Sequence, residues 1–100
     1  MFKHINIYMA GFRFISMKTI EFFVEALQKG ELSYKTQSAY DNRLSWILNT
    51  NKLRDLGLIE EVKKKHTNEK FYRLTEKGKR LANIFFLLEK EMRELGLYES

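Results

Sequence analysis

The sequence predicts a small α+β domain, mainly helical, in which a two-stranded hairpin precedes a long C-terminal helix. Three observations carry that expectation. Apolar residues recur at three and four between Ile20 and Leu27, two β-rich runs flank a charged tip at residues 66–70, and a heptad stripe runs from Leu81 to Leu95. One hundred residues with 44% hydrophobic content support one core rather than two. A domain of this size gains stability from any partner that covers more apolar surface, so self-association is physically favoured.

Residues 1–15 alternate weakly at Ile5, Ile7 and Met9 and read as a poorly specified arm. Lys3, His4, Asn6, Gly11 and Arg13 interrupt its apolar residues, so it is expected to be neither a signal peptide nor a membrane span. From Ser16 the pattern becomes helical, with Ile20, Phe23, Val24 and Leu27 on one face and Lys18, Glu21, Glu25 and Gln28 on the other. Ser16 is placed to cap this helix and Gly30 to close it. Glu31 and Leu32 suit a short strand, after which Ser33 is expected to cap a polar second helix over residues 34–39.

A third helix is expected from Asp41 or Asn42 to Gly57, with one inconsistency. Leu44, Ile47 and Leu48 lie on one side at 100° per residue, while Trp46, Leu53 and Leu56 lie nearly opposite. Asn49, Thr50 and Asn51 are poor helix formers, so a kink is expected there unless both faces are buried. Residues 58–65 and 71–75 then read as two strands. Thr75 caps a helix over residues 76–95 that ends at Gly96. The domain is thus assigned to residues 16–80 and the C-terminal helix to residues 76–96.

Charge narrows the function classes. Eighteen Lys and Arg against thirteen Asp and Glu leave +5, which favours polyanionic partners. The surplus is localised, since residues 33–80 hold twelve basic and six acidic side chains and the remainder is slightly acidic. There is no cysteine, hence no disulfide, thiolate metal site or cysteine nucleophile, and an intracellular setting is the default. The two histidines, His4 and His66, have no second ligand at metal-site spacing, and no glycine-rich phosphate loop is present. Glu60 and Glu61 fall on opposite faces of a strand, which disfavours a carboxylate pair. No catalytic residue, metal or cofactor is expected.

The run from Leu53 to Leu81 carries a resemblance. Lys-Leu-Arg-Asp-Leu-Gly-Leu-Ile-Glu-Glu at 52–61, a charged hairpin, and Phe-Tyr-Arg-Leu-Thr-Glu-Lys-Gly-Lys-Arg-Leu at 71–81 resemble the end of a recognition helix, the wing and the exit helix of winged helix-turn-helix regulators. Leu-Thr-Glu-Lys-Gly at 74–78 is similar to the junction found in the MarR, PadR and HxlR groups and in small archaeal regulators. The resemblance spans roughly residues 20–81 and departs from the usual pattern at Thr50, where an apolar residue is common.

It implies a homodimeric, sequence-specific regulator of transcription bound to double-stranded DNA, located in the cytoplasm on the nucleoid. The expected base-reading region comprises Lys35, Thr36, Gln37, Ser38, Asn42, Arg43 and Ser45, whose side chains suit base edges but also suit helix capping. The expected wing contacts are Lys63, Lys64, Lys65, His66, Asn68, Lys70 and Arg73, which reach phosphates without reading sequence. The expected dimer seam is Leu81, Ile84, Phe85, Leu88, Met92 and Leu95. Whether this stripe pairs two chains or packs on its own domain is left open by periodicity, as is any small-molecule effector. Two alternatives use the same residues: an architectural DNA-binding protein without base contacts, and a protein-interaction module using Leu44, Ile47 and Leu48.

Overall fold

The computed structural model describes residues 15–97, and the expectation of an arm over residues 1–15 lies almost wholly outside them. The described chain runs α1 (Met17–Lys29), β1 (Leu32–Ser33), α2 (Arg43–Asp55), β2 (Ile59–Val62), β3 (Phe71–Leu74) and α3 (Glu76–Glu94). The strands form one antiparallel sheet in the order β1-β3-β2. Leu32 lies opposite Tyr72, and Ile59 lies opposite Leu74. β1 adds a third strand beside Phe71 and Tyr72, at the loop end of the hairpin, so the sheet is two-stranded only at its base, where Ile59 and Glu60 face Leu74 and Arg73.

Local chemistry explains most of the boundaries. Ser16 caps α1 by accepting from Thr19 N at 3.2 Å, and Asn42 caps α2 by accepting from Ser45 N at 2.8 Å. At the end of α2 the chain reverses through Gly57, whose φ of +76° is accessible to glycine at little cost. Gly57 N bonds Arg54 O and Leu58 N bonds Leu53 O, which closes the last carbonyls of the helix. β2 is shorter than expected and ends at Val62, so the hairpin loop takes in Lys63, Lys64 and Lys65.

No second helix forms over residues 34–39; the segment is a turn. Its polar side chains satisfy the backbone in place of a helical ladder. Ser33 N donates to Thr36 Oγ1 at 2.8 Å, Tyr40 N donates to Gln37 Oε1 at 2.7 Å, and Gln37 Nε2 donates to the carbonyls of Tyr34 and Tyr40. Glu25 of α1 accepts from both the backbone and the hydroxyl of Ser38, which ties the turn to the first helix.

The expected kink in α2 is also absent. The helix is continuous because Trp46, Thr50 and Leu53 alone face the core, while Leu44, Ile47, Leu48 and Leu56 are exposed. Thr50 fits an apolar environment by donating its hydroxyl to Trp46 O at 2.7 Å. Trp46 sits within 6.3 Å, centroid to centroid, of Phe22, Tyr34, Tyr40 and Tyr72, so this helix is anchored by an aromatic cluster. On the other side of the core Phe23 meets Phe85 at 5.5 Å, where α1 packs along α3.

Candidate nucleic-acid interface

The hairpin is mounted on a rigid joint built from the Leu74–Gly78 segment. Thr75 N donates to Leu58 O at 3.1 Å, and the Thr75 hydroxyl donates to Gly57 O at 2.6 Å while accepting from Gly78 N. Lys77 Nζ reaches Leu56 O at 3.3 Å. Gly78 lets α3 pass against the loop, since a Cβ there would lie 2.0 Å from Leu58 O. The segment noted in the sequence thus fixes the angle between the end of α2 and the hairpin.

Beyond that joint Lys63, Lys65, His66, Asn68 and Lys70 are exposed. Lys64 turns back onto its own domain, pairing with Glu31 and lying 4.5 Å over the Phe71 ring. Arg73 is held across the strands by Glu60 at 2.6 Å. These two cations are already partnered, whereas the loop lysines project to solvent.

Between α2 and the hairpin runs a groove of about 280 Å³. Arg43, Ile47 and Asn51 of α2 line one wall, with Asn68, Lys70 and Tyr72 opposite. Arg43 lies 4.6 Å above the Tyr34 ring, a cation–π contact that orients its guanidinium. Glu69 reaches from the hairpin to accept from Lys35 N at 3.3 Å and ties the hairpin to the turn before α2. The Ser33 hydroxyl bound to its carboxylate, aided by Lys35 N and by the charges of Lys35 and Arg43, outweighs burial and holds the Glu69 carboxyl below the ordinary glutamate range.

The structure brings together Lys35, Arg43, Asn68 and Lys70, but assigns other work to most of the expected base readers. Asn42 caps α2, Ser38 binds Glu25, Thr36 closes on Ser33, and the Gln37 amide is used by the turn backbone. Ser45 is half-buried and lends its backbone to the Asn42 cap. Sequence reasoning passed over Asn51 and Lys52, which lie toward the outer side of α2; the signal was the register set by Trp46 and Leu53, which the presumed kink obscured.

On α3, Phe85 is buried in its own core, and Leu81 packs beside it. Ile84, Leu87, Leu88 and Leu95 are exposed, so the free apolar stripe is rotated from the expected seam away from Leu81 and Phe85 and toward Leu87. Met92 is half-buried. The heptad spacing mixed residues that face α1 with residues that face away.

A helix seated by its inner face, a basic hairpin beside it and a glycine joint between them define a winged helix-turn-helix domain. The fold matches NadR, a MarR-family winged-helix protein, in a crystal structure in complex with 4-hydroxyphenylacetate. The TM-score is 0.72 at 17% identity, over 94% of this chain and 74% of that one. No protein-family profile matches the sequence, and no curated protein matches it. Among the described residues no helix is long and apolar enough to cross a membrane, and no cluster of three metal-ligating side chains occurs.

Proposed function

We propose that the protein is a homodimeric, sequence-specific regulator of transcription that binds double-stranded DNA in the cytoplasm, on the nucleoid. The observation that carries this reading is the groove where Arg43 and Asn51 of α2 face Asn68 and Lys70 of the wing. A helix of this kind enters the major groove by its first turns, and a basic wing then meets the flanking phosphates. The exposed stripe of Ile84, Leu88 and Leu95 supports pairing of two chains through α3, which sets two α2 helices on two half-sites. The winged-helix fold shared with NadR is consistent with this role.

Fluorescence anisotropy of a labelled duplex, titrated from about 50 to 200 mM salt, tests the reading. Affinity should fall linearly on logarithmic axes, with a slope near −0.9 for each phosphate contact. Light scattering on the same samples should give twice the chain mass, and Ile84→Glu with Leu88→Glu should return it to one. A second reading, a protein-interaction module, is favoured by the exposure of Leu44, Ile47 and Leu48, and negligible duplex binding at the lowest salt would select it.

A further inference from the structure

The outer face of α2 is apolar where a base-reading helix is usually polar. In its first two turns Leu44, Ile47 and Leu48 are 65%, 44% and 59% exposed. Among the described residues nothing covers them, although each would gain from burial. The polar side chains that stand nearby in sequence are engaged elsewhere, as Asn42 caps the helix and the Asn49 amide donates to Ser45 O at 2.8 Å. An aliphatic centre thus sits inside a cationic rim of Lys35, Arg43, Lys52 and Lys70, all exposed.

That rim indicates the occupant. A surface with basic edges on both sides of an apolar ridge complements a groove walled by phosphates, and the groove beside Ile47 already brings Arg43 and Lys70 into position. Within the major groove only thymine offers an apolar group, its C5 methyl. Other base edges present donors and acceptors that leucine and isoleucine would desolvate without a partner, an unfavourable exchange. Asn51, one turn beyond Ile47 on the same side, supplies an amide suited to adenine N6 and N7.

We infer that Leu44, Ile47 and Leu48 read thymine methyls, so that the protein selects A·T-rich sites by apolar contact more than by bidentate hydrogen bonds. This rests on the DNA-binding reading above. It assigns specificity to the ridge and leaves affinity to the lysines.

The test uses the whole chain and three labelled 20-base-pair duplexes: alternating A-T, the same sequence with uracil for every thymine, and alternating G-C. The first two differ only in the methyl groups. The A-T duplex should bind best, and uracil should weaken binding roughly fourfold for each methyl buried, from about 0.8 kcal/mol per buried carbon group. Leu44→Ala with Leu48→Ala removes exposed side chains and should fold normally by circular dichroism. It should narrow the difference between A-T and A-U duplexes to what Ile47 alone supplies, with the salt slope of the parent. Equal binding of the first two duplexes by the parent protein, or preference for G-C, would overturn the inference while leaving DNA binding intact. Absence of binding to all three at low salt would overturn both and assign the ridge to a protein partner.

Discussion

The turn between β1 and α2 and the loop of the wing are built from similar residues and behave oppositely. In the turn, Thr36, Gln37 and Ser38 spend their polar groups on backbone atoms and on Glu25. In the wing loop, Lys63, Lys65, His66 and Lys70 extend into solvent. The difference follows from what surrounds each segment. The turn satisfies its backbone with Thr36, Gln37 and Glu25, whereas in the wing loop Thr67 takes that task, accepting from Glu69 N at 3.0 Å, and Lys63, Lys65 and Lys70 are left to solvent. Residue type alone does not separate a structural polar group from one available to a ligand; the state of the neighbouring backbone does.

Four variants break or sharpen this contrast, from the largest effect to the smallest. Gly78→Ala drives a methyl into Leu58 O beneath the wing and should cost about 3 kcal/mol or more, read as a lower urea midpoint. Gln37→Ala leaves Tyr40 N and two carbonyls short of partners and should cost about 2 kcal/mol, with duplex affinity unchanged under conditions where the variant is fully folded. Loss of affinity without loss of stability would return Gln37 to the base-reading set. Lys63→Ala, Lys65→Ala and Lys70→Ala together should leave stability within about 0.5 kcal/mol, yet reduce the salt slope of DNA binding by about 0.9 for each lysine that meets a phosphate.

Glu69 links the two segments and gives the smallest effect. Its carboxyl is held below the ordinary range in the folded chain, so its ionised form favours folding. That contribution is complete above the ordinary glutamate pKa and is lost as pH falls through the lowered folded value. Glu69→Gln should therefore flatten the acid limb of a stability-against-pH curve, lowering stability slightly at pH 7 and converging on the parent in acid. An unchanged acid limb would show that the Ser33 and Lys35 contacts carry no net weight.

Much of this architecture was legible in the chain itself. Ser16, Gly30, Gly57 and Thr75 mark helix ends by capping chemistry that acts locally, and the structure places helix boundaries at each of them. What escaped were features decided by tertiary contact. Residues 34–39 lack a helix because Glu25, thirteen residues before Ser38, offers a carboxylate to the turn. α2 runs through Thr50 because Trp46 O accepts its hydroxyl, which turns an apparent helix breaker into a core residue. On α3 the stripe could be counted but not oriented, since only the position of Phe23 shows that Phe85 points inward and Ile84 outward. Of the interface, the loop lysines were visible as charge, while the engagement of Lys64 and Arg73 with Glu31 and Glu60 required the fold.

Trp46 is the sole tryptophan of the chain, and it stands on the inner face of the helix proposed to touch DNA. Packed against Tyr34, Tyr40 and Tyr72, it receives excitation energy from tyrosines at near contact and emits from a dry environment. Its emission maximum is therefore a built-in optical gauge of how α2 is seated. A blue-shifted band that holds steady as DNA is added would mean the helix docks as a rigid rod, and a red shift would mean that binding lifts it from its aromatic bed.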